Sequence, residues 1–174
     1  WFHSDSRLDD SSHATKLRRL MLELVNHELA LVEPWGMGGH ALGEVRCENA
    51  DLRVVALATE RSRLQIPNYV QPNAQFACRP TSGGNVMVIA GVSDSTDVFQ
   101  LSHVGLKPLR KQRISGGIRI EVEPEAADSL LLLTEDALVV TYINRTVTKS
   151  KQRVVQLEQE LADRLLADFE TAAA

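Results

Sequence analysis

Aromatic side chains are scarce: two Trp, two Tyr and four Phe make up 5% of the 174 residues. Modules that grip sugars often stack exposed rings on pyranose faces, and most of these eight rings are needed for packing. Cysteine is scarcer still. Cys47 and Cys78 allow one disulfide at most and cannot by themselves make a structural zinc site. No block of five like charges occurs among the 19 basic and 23 acidic residues, and the net charge is -4. The basic stripe that phosphate neutralisation demands is therefore missing, and no nucleic-acid partner is expected. Lys107, Arg110, Lys111 and Arg113 come nearest to one, and they read as a solvated turn. No apolar run is long enough to span a membrane, and no signal-peptide pattern opens the chain. Neither a nucleophile elbow nor a phosphate-binding loop is present. No cofactor is expected.

What is present is enough apolar material for a core: 44% of residues are hydrophobic, and a chain of this size buries roughly 70% of its extended surface. Trp1 in place of Met raises the expectation of a piece of a longer gene product, with residues 1–12 as an interdomain junction. Ser11 or Ser12 offers a cap. Leu17, Leu20, Met21, Leu24, Val25, Leu31 and Val32 then recur at three- and four-residue spacing, which predicts a helix over 13–33. It should stop at Glu33-Pro34, because Pro disfavours helical geometry in the residue before it.

From 36 to 134 the period changes from helical to alternating. Strand-like runs at 42–47, 52–59, 63–67, 85–90, 97–102, 117–123 and 129–133 are separated by Gly, Pro, Asn, Asp and Ser. No helical pattern lies between them, so the sheet should be antiparallel. In 117–123, Ile118, Ile120 and Val122 alternate with Arg119, Glu121 and Glu123, one face for the core and one for water. Leu130 to Leu133 are apolar without alternation, as expected of a strand covered on both faces by a further layer. Thr134-Glu135-Asp136 then caps a second helix over 135–170, about 50 Å long. Val140, Ile143, Val147, Val154, Leu157 and Leu161 form its stripe, prolonged by Leu165 and Phe169. A small sandwich is shorter than that, so part of the stripe must pack elsewhere, first of all on the N-terminal helix. The expected fold is mainly β, one domain: an antiparallel β-sandwich of about seven or eight strands, with an N-terminal helix and a long C-terminal helix.

Several motifs have a counterpart in sequence and in order. They are Trp1-Phe2 with Arg7-Leu8, Leu31-Val32-Glu33-Pro34-Trp35, Gly43-Glu44-Val45 and Gly105-Leu106-Lys107-Pro108-Leu109-Arg110. Arg113-Ile114-Ser115-Gly116-Gly117-Ile118-Arg119-Ile120 and Leu130-Leu131-Leu132-Leu133-Thr134-Glu135-Asp136 complete the set. Together the chain resembles the C-terminal region of large bacterial proteins that carry a glycoside-hydrolase-like TIM-barrel domain upstream. The resemblance implies a sandwich that follows a catalytic barrel, and it carries no catalytic residue onto any position here.

The chemistry-bearing residues point the same way. Glycosidic cleavage takes two carboxyls, about 5 Å apart when configuration is retained. Glu121 and Glu123 sit about 7 Å apart on one strand, but on its solvent side, where nothing raises a carboxyl pKa. Of the five histidines, His40 and His103 with an acid are the one candidate metal set, without the paired spacing that metal sites use. Asn144-Arg145-Thr146 has the glycosylation-acceptor pattern inside a predicted helix and carries no weight. Tyr69 and Phe76 flank the loop between them and are the candidate sugar platform; Trp1 and Phe2 are candidate interdomain contacts. The compartment is not legible. An exported parent would permit a Cys47–Cys78 bridge; two half-buried thiols are otherwise expected.

The fragment is therefore expected to be no enzyme itself, but a non-catalytic accessory domain of a carbohydrate-active enzyme whose partner is the upstream domain of the same polypeptide. A carbohydrate-binding module and an oligomerisation module built on the terminal helices are the alternatives.

Overall fold

The computed structural model describes residues 11–43, 45–69, 85–122 and 129–173. The first helix, α1 (His13–Gly38), opens on Ser12, whose hydroxyl accepts from the Thr15 amide at 3.3 Å. It does not stop at Pro34 but carries that residue inside. Leu31 and Trp35 lie one turn apart, and both are almost wholly buried. The apolar burial of that last turn outweighs the hydrogen bond that Pro34 cannot make. The turn closes when the Gly39 amide donates to the Trp35 carbonyl at 3.0 Å. A Cβ on residue 39 would collide with that same carbonyl, so the exit needs glycine.

Ten strands follow among the described residues, where seven or eight were expected. They are β1 (His40–Ala41), β2 (Arg46–Cys47), β3 (Leu52–Ala58), β4 (Ser62–Tyr69) and β5 (Asn85–Ala90). After these come β6 (Asp97–Ser102), β7 (Gly105–Pro108), β8 (Lys111–Ile114), β9 (Gly117–Val122) and β10 (Leu130–Thr134). All pair antiparallel, in a six-stranded sheet β1-β3-β4-β10-β6-β7 and a four-stranded sheet β2-β5-β9-β8. Of the strand expected over 42–47, only Arg46–Cys47 (β2) is one; β1 ends before it, at Ala41, and belongs to the other sheet. The cationic stretch read as a turn is also corrected: Lys107 lies on β7, and Lys111 and Arg113 lie on β8. A tight hairpin through Gly116, at φ 83°, joins β8 to β9.

The chain ends in α2 (Ala137–Ala173), started by the Asp136 carboxylate, which accepts from the Leu138 amide at 2.8 Å. With 26 and 37 residues, the two helices hold more of the described chain than the strands do. "Mainly β" is thus too narrow; the fold is two antiparallel sheets with substantial helices at both ends.

Two apolar clusters organise these elements. One combines Leu52, Val54, Val98, Leu131 and Leu133 of the larger sheet with Met87, Ile89, Ile118, Ile120 and Val122 of the smaller. The other joins Leu31 and Trp35 of α1 and Ile143 and Val147 of α2 to Leu64, Leu101 and Leu132 of the larger sheet. Leu131 and Leu133 face one cluster and Leu132 the other, which is why β10 lacks alternation.

Candidate functional site

The helices run antiparallel and are fastened along their length. His13 Nε2 lies 2.8 Å from Asp168 Oδ2 near one end of the pair. In the middle, Arg153 Nε and Nη2 donate to the two Glu23 carboxylate oxygens at 2.7 and 2.8 Å. His103, at the turn between β6 and β7, meets Glu158 of α2 at 2.7 Å. The two Arg153 hydrogen bonds hold the Glu23 carboxyl below its usual range, and the same contact raises Arg153.

This pair is longer than the sheet it covers. At 1.5 Å per residue α2 is about 55 Å long, whereas β4, the longest strand at 8 residues, spans about 27 Å. Burial along α2 records the mismatch. Val154 and Leu157 are fully buried, while Leu165, two turns further on, is 52% exposed and Phe169 is 74% exposed. Leu166 is exposed as well. On α1, Met21, Val25 and Leu29 recur every four residues and are each about half exposed. Met21 and Val25 belong to the stripe expected in the core, and Leu165 and Phe169 were expected to continue the buried register; all four face solvent. Large apolar side chains exposed on both helices mark an interaction surface. The period of the sequence shows that an apolar stripe exists but not which part of it a sheet will cover.

A cleft of about 780 Å³ opens at the opposite end, where α2 begins, between the β3–β4 turn and the link after β5. Four of its charged groups serve the fold. Arg61 Nη1 pairs with Asp136 Oδ2 at 3.1 Å. Arg63 of the larger sheet donates to the Ala90 and Gly91 carbonyls at the end of β5 in the smaller. Glu135 accepts from Thr96 Oγ1 at 2.7 Å. Hydrogen bonds from Thr96, then Ser95, lower the Glu135 pKa, and Lys111 adds to the effect. Arg61, Arg63, Glu135 and Asp136 are thus engaged in structural contacts, while His40 and Glu60 also line the cleft.

The sequence candidates fall apart in space. His40 stands exposed at the cleft while His103 is tied to α2, and no group of three His, Cys, Asp or Glu among the described residues is arranged to hold a metal ion. Glu121 is exposed and lies 4.0 Å from Arg119; Glu123 is outside the described residues. Cys47 is half-buried beside the inter-sheet cluster, and burial raises its thiol pKa; Cys78 is outside the described residues. Trp1, Phe2, Phe76 and the side chain of Tyr69 also lie outside them. No described helix is long and apolar enough to cross a membrane.

No protein-family model, curated protein or solved structure matches the chain.

Proposed function

We propose that this chain is a non-catalytic accessory domain, a β-sandwich backed by a helix pair, whose work is to fix the position of a neighbouring domain in the same polypeptide. The observation that carries the reading is the set of large apolar side chains left exposed on the helices, Met21, Val25 and Leu29 on α1 and Leu165 and Phe169 on the overhang of α2. Water contact with so many large apolar side chains is costly, and covering them is worth about 25 cal/mol per Å². The sandwich assignment draws support from the apolar cluster shared by the two sheets. The occupant we assign to these exposed side chains is a folded domain joined ahead of residue 11. The chain enters α1 at His13, 2.8 Å from Asp168, at the same end of the helix pair as the exposed Phe169, so a domain joined there would emerge beside these side chains. Trp1 and Phe2 would then lie at the junction. The motif resemblance favours a glycoside-hydrolase-like barrel of a carbohydrate-active enzyme as that domain.

A second copy would bury the same apolar side chains and is the alternative that the test separates. The test uses L165D/F169D. Both positions are already in water, so the 174-residue variant should keep its unfolding midpoint. In the parent polypeptide the same change should free the domain, seen as rapid proteolysis of the junction. An unchanged cleavage rate would sink the accessory reading. A wild-type chain that is dimeric by light scattering would assign these side chains to a second copy. Heat of binding to any member of a polysaccharide panel would turn the assignment to a carbohydrate-binding module.

A further inference from the structure

The face that the larger sheet turns toward the smaller one carries a row of amides among its apolar side chains. In the registers of the larger sheet Gln65 of β4 stands opposite Leu131 of β10, and Leu131 stands opposite Gln100 of β6. Residues level with one another across a pleated sheet share a face. Leu131 belongs to the inter-sheet cluster, so both glutamines flank it and point toward the smaller sheet. Gln65 is 0% exposed, yet neither its amide nitrogen nor its oxygen has a hydrogen-bond partner among the described residues. Gln100 donates through Nε2 to Ser129 Oγ at 3.0 Å, and its own buried Oε1 has no partner among them either.

A leucine at position 65 would suit the cluster better on packing grounds, since an amide without partners forfeits the hydrogen bonds it made to water. Native folds rarely leave both ends of a buried amide unmatched. The local sequence also leaves room. Ser129 lies two residues before Leu131, on the same face, and replaces a bulky side chain with a hydroxyl. On the far side of Gln65 the register places Ala56.

We propose that Gln65, Ser129 and Gln100 form an internal solvent site, holding ordered water between the two sheets. The donor set selects this occupant. Two carboxamides and a hydroxyl each both give and accept hydrogen bonds and carry no charge, which suits a small neutral molecule that does the same, and water typically makes about three such bonds when buried. Solvent space reaches the Gln100 end of the row. A cavity of about 270 Å³ has Gln100, Leu109 and Val122 in its walls, with Lys107, Arg110 and Glu121 around it. The inference is independent of the docking face on the helices.

The wild-type chain tests it directly. A crystal structure that resolves solvent should show at least one water within about 2.7–3.2 Å of the Gln65 amide. Water cross-peaks to the Gln65 side-chain NH₂ should appear in rotating-frame NMR spectra and be absent from Gln65→Met. A Gln65 amide hydrogen-bonded wholly by protein groups, or a dry site in both experiments, would overturn the proposal. Density too large for water would overturn the identity of the occupant.

Discussion

Arg153 on α2 clamps both carboxylate oxygens of Glu23 on α1, at 2.7 and 2.8 Å across 130 residues of sequence. The clamp lies on the solvent side, so it orients the helices more than it stabilises them. Its pH dependence has a definite sign. The Glu23 pKa is lowered in the folded chain, chiefly by the Arg153 hydrogen bond. A carboxyl with a depressed folded pKa adds stability above its unfolded value, and that contribution fades as pH falls through the folded one. The melting temperature of the wild type should therefore drop faster with acid below about pH 4.5 than that of Glu23→Gln, whose curve should start slightly lower at pH 7. Parallel curves would show that the clamp contributes nothing to stability.

Leu157 and Phe169 lie on the same helix, in one apolar series, with opposite surroundings: Leu157 is fully buried and Phe169 largely exposed. Leu157→Ala should cost about 2–5 kcal/mol, because it opens a cavity between α2 and its neighbours. Phe169→Ala should stay within about 0.5 kcal/mol of wild type. Urea unfolding of the two variants measures both. A cost of several kcal/mol at Phe169 would mean that the ring is covered by this chain itself, leaving no exposed face there to dock.

That contrast also marks the limit of what the residues disclose. Period and alternation report faces, and where a face meets one continuous layer they are enough. Ile118, Ile120 and Val122 turn inward and Glu121 outward as their spacing requires. Leu131 to Leu133 were legible as a strand covered twice. The misreadings arise where the outcome depends on distant partners. β7 and β8 carry Lys107, Pro108, Lys111 and Arg113, and edge strands need no apolar alternation, so nothing local set them apart from a turn. Residues 42–47 alternate well enough for one strand, but the chain passes from one sheet to the other within them. Pro34 was a sound helix stop until Trp35 found a core to enter. The overhang of α2 follows from comparing helix and strand lengths, but its exposed end becomes visible only once the sheet edge is placed.

Trp35 is buried at 2% exposure in the cluster under the helices, and its indole nitrogen has no partner among the described residues. The ring is held there for its volume rather than for its N–H. Trp35→Phe removes the orphan donor along with some packing, and the two effects partly cancel, so a loss below about 1.5 kcal/mol is expected. Trp35→Ala should cost about 3–5 kcal/mol and shorten α1 at its C-terminal turn, since that turn persists past Pro34 only through Leu31 and Trp35. Far-UV circular dichroism with chemical unfolding separates the two effects. Equal losses for Phe and Ala would show that the indole N–H is engaged after all.

The open edges of both sheets carry the features that discourage pairing between molecules. β1 and β2 are two residues each. Just past β7 the Leu109 amide donates to the Val98 carbonyl. By alternation the backbone of Pro108 then faces the free edge, where its missing N–H costs nothing and offers an incoming strand no donor. β8 is guarded by charge: level with Ile120 and Ile118, Lys111 and Arg113 stand at the rim of the inter-sheet space. From there they reach back to the Thr96 carbonyl and to Asp94, the latter at 3.0 Å. Charged side chains at the rim of an edge strand would be desolvated if another strand docked there. Replacing both by isoleucine should leave the ladder with β9 intact, because it rests on backbone bonds and on Ile118 and Ile120. It should also make the chain prone to concentration-dependent association, followed by light scattering at rising protein concentration. The Lys111→Ile/Arg113→Ile chain staying monomeric over the range tolerated by the wild type would show that β8 is protected by something other than its charges.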